Sequence, residues 1–162
     1  MIGCNRKIAR SVPANYIIMG IFTLAESYMV SFVGFAYSTE DVIIAGVLTL
    51  AMTAGLAAYA LKTKTDFTMC GAYLFAMCMV MLTASLLSLT MGGFRGNLLY
   101  GMLGVGLASL YIVYDVQLIF GGDHKRCNSL GTDEYVFAAM MLYADIIYLF
   151  MKILEILGSS KK

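Results

Sequence analysis

The stretch EYVFAAMMLYADIIYLFMKILEIL, residues 134–157, decides how this chain folds. As a helix rising 1.5 Å per residue it is long enough to cross about 30 Å of hydrocarbon. Its apolar residues do not alternate with the period of two that a membrane barrel strand requires. About halfway along stands Asp145. A carboxylate at the bilayer centre costs roughly 2.5–3.5 kcal/mol on insertion scales, so the chain must offset it with a partner, a shared proton, an ion or water.

Working back along the chain, a second apolar stretch carries Asp115 near one end, and three more precede it. The five expected spans are Asn15–Tyr37, Val42–Leu61, Phe67–Met91, Asn97–Phe120 and Glu134–Leu157. Composition agrees, because 60% of the 162 residues are hydrophobic and only 13% charged, with mean hydropathy +0.82. A water-soluble domain carries about 25% charged residues. The expectation is therefore an all-α polytopic membrane protein in contact with the lipid bilayer, forming one domain over residues 1–162. The connections are short except for Gly121–Asp133, and no linker or low-complexity segment divides the chain. Pro13 stands just before the first span, where a helix start tolerates it.

Net charge of +1 offers no concentrated basic patch, and nucleic acid is not an expected partner. The cysteines Cys4, Cys70, Cys78 and Cys127 form no CxxC pair. Neither a disulfide nor a cysteine-bound metal is expected, and Cys70 and Cys78 read as small buried hydrophobes. The N-terminal segment bears Arg6, Lys7 and Arg10, but the apolar run behind them is too long for the core of a cleavable secretory leader. A short basic start is also compatible with mitochondrial targeting, though this one is poor in serine.

Lysine and arginine are unevenly shared. Arg6, Lys7, Arg10, Lys62, Lys64, Lys125 and Arg126 fall on one side of the five spans, against Arg95, Lys161 and Lys162 on the other. The positive-inside rule then puts the N-terminus in the cytoplasm, or in the matrix of a mitochondrion, and the C-terminus opposite. Lys152 and Glu155 lie close enough to the outer end of the last span to snorkel to the interface. Small residues at helix-packing spacing, Gly104 with Ala108 and Ala54 with Ala58, suit close backbone approach.

Three acids, Glu26, Asp115 and Asp145, stand inside spans with no equally deep base in the sequence. Two carboxyls brought close can share one proton and attract a divalent cation. The competing reading is a carboxyl held neutral by a hydroxyl on its own helical face: Tyr111 for Asp115, Tyr148 for Asp145 and Thr23 for Glu26. His124 falls in the polar fourth loop and reads as solvated.

No HExxH or GxSxG motif is present, and no nucleophile stands beside a deep base, so an enzyme is not expected. Paired intramembrane aspartates are shared with aspartyl proteases of the membrane, but YDVQ is not their motif and their Gly-rich second half is missing.

The strings TKTDFT (63–68), YDVQ (114–117) and EYVFAAMMLYADII (134–147), with ANYI (14–17) and FTLAESY (22–28), closely resemble the Bax-inhibitor-motif family, Lifeguard branch. The resemblance runs from Pro13 to Leu157. It implies a seven-helix membrane fold with the last helix central, of which this chain would supply helices three to seven. It further implies modulation of cell death, a pH-sensitive calcium leak, and an aspartate pair in the last two helices as the pH sensor. Matched residue by residue, that pair is Asp115 and Asp145, which are also the candidate sites for transient Ca²⁺, with no resident cofactor. The implied location is the endoplasmic reticulum or Golgi, or alternatively the mitochondrial inner membrane.

Three departures from the family pattern stand out. The chain begins where the third family helix begins, so the arginine that the second helix lends to the aspartates in some members has no counterpart. Met141 and Tyr148 replace asparagines, and Val116 replaces a threonine. The resemblance implies a leak channel or regulator of ion homeostasis. The alternative is a non-conducting structural subunit of a larger membrane complex. In either case Glu26 should seek a protein partner, another copy or an unrelated subunit, against the first span.

Overall fold

A computed structural model describes residues 13–91, 98–120 and 135–160, with the side chains of residues 88–91 excepted. Cys4, His124, Cys127 and most of the charged ends and loops lie outside the described residues. Five long helices carry the described chain: α1 Ala14–Gly34, α2 Thr39–Lys62, α3 Gly71–Met91, α4 Leu98–Phe120 and α5 Tyr135–Ser160, with a short 3₁₀ turn, Phe67–Cys70, leading into α3. All five spans are long and apolar enough to cross a membrane. The protein is an all-helical, polytopic membrane protein, as its composition requires.

Helix ends follow from local chemistry. Past Gly34 the bonds tighten, with Ala36 N–H reaching Val33 O at 2.9 Å and Tyr37 N–H reaching Gly34 O at 3.3 Å. The first helix therefore stops three residues before Tyr37, the expected boundary. Ser38 then caps α2: its hydroxyl accepts from Asp41 N–H at 3.2 Å and donates to Asp41 Oδ2 at 2.7 Å. Glu40 and Asp41 in the first turn and Lys62 in the last complement the helix dipole.

Residue contacts set the topology. Tyr16 meets Tyr135 hydroxyl to hydroxyl at 2.7 Å, Phe22 meets Tyr143 edge-on with ring centroids 6.0 Å apart, and Tyr37 abuts Gly158. The order is the same on both helices, so α1 and α5 run parallel. Against α4 the order reverses, since Gly101 faces Ile156 and Gly104 faces Lys152. That pair is antiparallel.

The core forms where α2, α4 and α5 converge, around Ala108, Ile112, Val116, Leu149 and Leu154. Half of the apolar window of α4 is buried and none of that of α1, which marks α4 as central and α1 as peripheral. Outward residues such as Leu24, Phe32, Leu50 and Phe75 stay exposed, as a lipid-facing surface requires. Of the small-residue pairs, Gly104 and Ala108 are buried, whereas Ala54 and Ala58 are exposed. The packed stripe of α2 instead runs through Ala45, Thr49, Met52, Leu56 and Ala60.

Candidate functional site: an aspartate dyad and a buried lysine

Asp115 lies on the buried face of α4, with 3% of its surface exposed. The antiparallel register brings it beside Asp145 on α5, near enough for each carboxyl to act on the other. An ionised carboxylate has no donor, so a hydrogen bond within such a pair needs one proton held between them. Asp115 Oδ1 and Asp145 Oδ2 are buried without any hydrogen-bond partner. Burying an acceptor unmade is expensive, and such atoms in a native fold call for a role or an occupant.

The tyrosines on the same faces do not supply it. Among the described residues no hydrogen bond joins Tyr111 to Asp115 Oδ1 or Tyr148 to Asp145 Oδ2. Thr23 likewise ignores Glu26, donating to Met19 O at 2.8 Å. Glu26 is half-buried and has no hydrogen bond or ion pair among the described residues. Phe22 packs on Tyr143, and Glu26 is one turn further along α1. It therefore stands level with the turn of α5 that carries Asp145, though α1 and α4 lie against different faces of that helix.

As a Ca²⁺ site the dyad is incomplete. Calcium takes six to eight oxygens, and among the described residues no group of three or more acidic, histidine or cysteine side chains converges. Two carboxylates can attract the ion while water supplies the rest.

Beside the dyad, α3, α4 and α5 line a half-open cavity of about 460 Å³. Its lining includes Cys78 and Ser85 from α3, Tyr100 and Tyr111 from α4, and Asp145, Tyr148 and Lys152 from α5. Lys152 departs from expectation. Instead of snorkelling to the interface it is buried, with 9% exposure. Its ammonium holds Glu155 Oε2 at 2.7 Å and lies 4.1 Å from the centroid of the Tyr100 ring. Gly104 makes this possible, because a Cβ there would come within 2.5 Å of Lys152 Cδ.

Gln117, two residues after Asp115, is fully buried and joins two of the quoted motifs. It accepts from Phe67 N–H at 2.8 Å and donates to Thr65 O at 3.0 Å and Ala60 O at 3.3 Å. Asp66 in the same loop accepts from both the backbone and the hydroxyl of Thr68, at 2.9 and 2.6 Å. TKTDFT and YDVQ thus meet as one structural joint that fixes the C-terminal end of α4.

In sequence the chain is similar to proteins already known. The chain is 28% identical over 162 residues to Protein lifeguard 3 of Homo sapiens, covering 98% of this chain and 51% of that protein. It is 26% identical to Protein lifeguard 3 of Mus musculus, covering 52% of it. With Protein lifeguard 4 of Mus musculus the identity is 37% over 150 residues, or 93% of this chain and 60% of that protein. The chain spans about half the length of the lifeguard 3 proteins it matches. The family model described as inhibitor of apoptosis-promoting Bax1 matches residues 1–162, and the chain belongs to that Bax inhibitor family, within its Lifeguard branch.

Proposed function

We propose that this protein is a pH-sensitive calcium leak channel, or a regulator of ion homeostasis and cell death, gated by Asp115 and Asp145. The observation that carries the reading is the meeting of two buried carboxyls, each with an oxygen left without a partner. With one proton between them the pair is closed by its own hydrogen bond. When that proton leaves, two carboxylates repel each other and attract Ca²⁺. Flux therefore falls on acidification and rises as the pair ionises. The chemistry is ion passage, not catalysis, and membership in a family described as inhibiting Bax1 supports a role in cell death. An intracellular membrane, endoplasmic reticulum or Golgi, is the proposed location.

The test is Ca²⁺ flux into liposomes holding the purified chain, measured across pH. Asp145→Asn leaves an amide that cannot lose its proton, so the pH dependence of flux disappears. Retention of the wild-type pH profile in that variant would remove the dyad from gating.

A second reading, a structural subunit, is favoured by α1. Thr23, Ser27 and Ser31 form an exposed ladder, each hydroxyl donating to the carbonyl four residues earlier at 2.7–2.9 Å. Glu26 lies beside that ladder without a partner among the described residues. In lipid, association comes from packing of small residues and from hydrogen bonds, and α1 offers both to another protein or a second copy. A photo-crosslinker at Ser27 in native membranes tests it: an adduct to protein supports a subunit role, and labelling of lipid alone opposes it.

A further inference from the structure

A lysine inside a span ordinarily lets its stem lie along apolar surface and carries its charge to the interface. Lys152 stands eight residues before the end of α5 at Ser160, about 12 Å along the axis. Its ammonium stays inside. Three elements hold it there: the notch left by Gly104 on α4, the ring of Tyr100 at 4.1 Å and Glu155 at 2.7 Å. Tyr100 is itself fixed, its hydroxyl bonded to Ser85 on α3 at 2.8 Å.

The pair is not symmetric with respect to the cavity. Lys152 lines it and Glu155 does not. The ion pair therefore turns its positive end toward the space that Asp145 also lines. Asp145, Tyr148 and Lys152, spaced three and four residues apart, share one face of α5. One cavity thus has a carboxyl at one station and an ammonium two turns away.

We propose that Lys152 is a positive barrier built into this cavity: it sets the local potential against cations and throttles divalent-ion passage between Asp145 and the outer end of α5. The consequence for flux rests on the channel reading above. The consequence for potential does not, because a charged wall in a low-dielectric cavity acts on any ion that enters.

Cys78, on the cavity wall, reports that potential directly. In a background with Cys4, Cys70 and Cys127 changed to serine, its reaction rates with anionic and cationic methanethiosulfonate reagents are compared. Neutralising the lysine alone would orphan Glu155, so the informative variant is Lys152→Met with Glu155→Gln, beside Lys152→Arg as the charge-retaining control. The double variant is expected to lower the anionic-to-cationic rate ratio by about fivefold or more, within the range that focused fields produce. Lys152→Arg keeps the ratio of the parent.

In liposomes the same double variant is expected to raise Ca²⁺ flux about tenfold. An unchanged reagent ratio, or a Cys78 that neither reagent reaches, overturns the proposal. A lowered ratio with no flux from any variant leaves the barrier standing and removes the channel reading instead. If Lys152→Met alone raises flux but the double variant does not, orphaned Glu155 is the cause and the proposal fails.

Discussion

Gly104 and Lys152 must be considered together. Sequence reading assigned Gly104 to helix packing and Lys152 to the interface, and only the first assignment matches the structure. Both residues are consistent with their local patterns; what the pattern lacks is the antiparallel register that places one against the other. A methyl at position 104 would press on Lys152 Cδ and Cγ at 2.5 and 2.9 Å. Gly104→Ala is therefore expected to destabilise the protein by about 1–3 kcal/mol, the usual penalty for overpacking. Thermal unfolding in mild detergent measures it. Shortening the lysine stem in Gly104→Ala/Lys152→Ala should recover part of the loss, and strict additivity of the two changes would refute the contact.

Among the elements, the spans were the most legible feature, because apolar length is a property of consecutive residues. Their ends moved by four residues at most, at the start of α3, where the 3₁₀ turn Phe67–Cys70 precedes the helix, and by three at Tyr37, where 3₁₀-type bonds end α1 early. The role of Gln117 was not legible: its partners Ala60, Thr65 and Phe67 lie 50 to 57 residues away in sequence. Gln117→Leu removes all three bonds and leaves Phe67 N–H without its acceptor. At about 0.5–1.5 kcal/mol per bond the loss is about 2–4 kcal/mol, concentrated on the loop between α2 and the 3₁₀ turn. Limited trypsin digestion should then cut faster at Lys62 and Lys64, while cleavage elsewhere stays unchanged. Equal loop cleavage in variant and parent would deny Gln117 its role as the clamp. The acids were legible as a cost to be met, since no hydrophobic span carries them without consequence. The meeting of Asp115 and Asp145 came from the resemblance and not from spacing alone.

At the scale of the molecule, the parallel pairing of α1 with α5 places Tyr16 and Tyr135 on one side of the membrane and the end of α5 on the other. In otherwise cysteine-free protein, Tyr16→Cys and Tyr135→Cys should react with an impermeant maleimide from the same side, and Ser160→Cys from the opposite side. Labelling of all three from one side would contradict a five-span bundle. The same pairing has a consequence in time. Tyr16 and Tyr135 are 119 residues apart in the chain, so α1 is synthesised long before the helix it rests on. At roughly 5–20 residues per second of synthesis, α1 waits about 6–24 s for α5 to emerge. Throughout that interval the face of α1 that bears Tyr16 and Phe22 is presented to the membrane without Tyr135 and Tyr143. Biogenesis is therefore when this helix is most open to capture, and an insertion chaperone would meet it then. A ribosome-stalled chain ending before Tyr135 should crosslink from Phe22 to translocation machinery, and a released full-length chain, in which Phe22 packs on Tyr143, should lose that adduct.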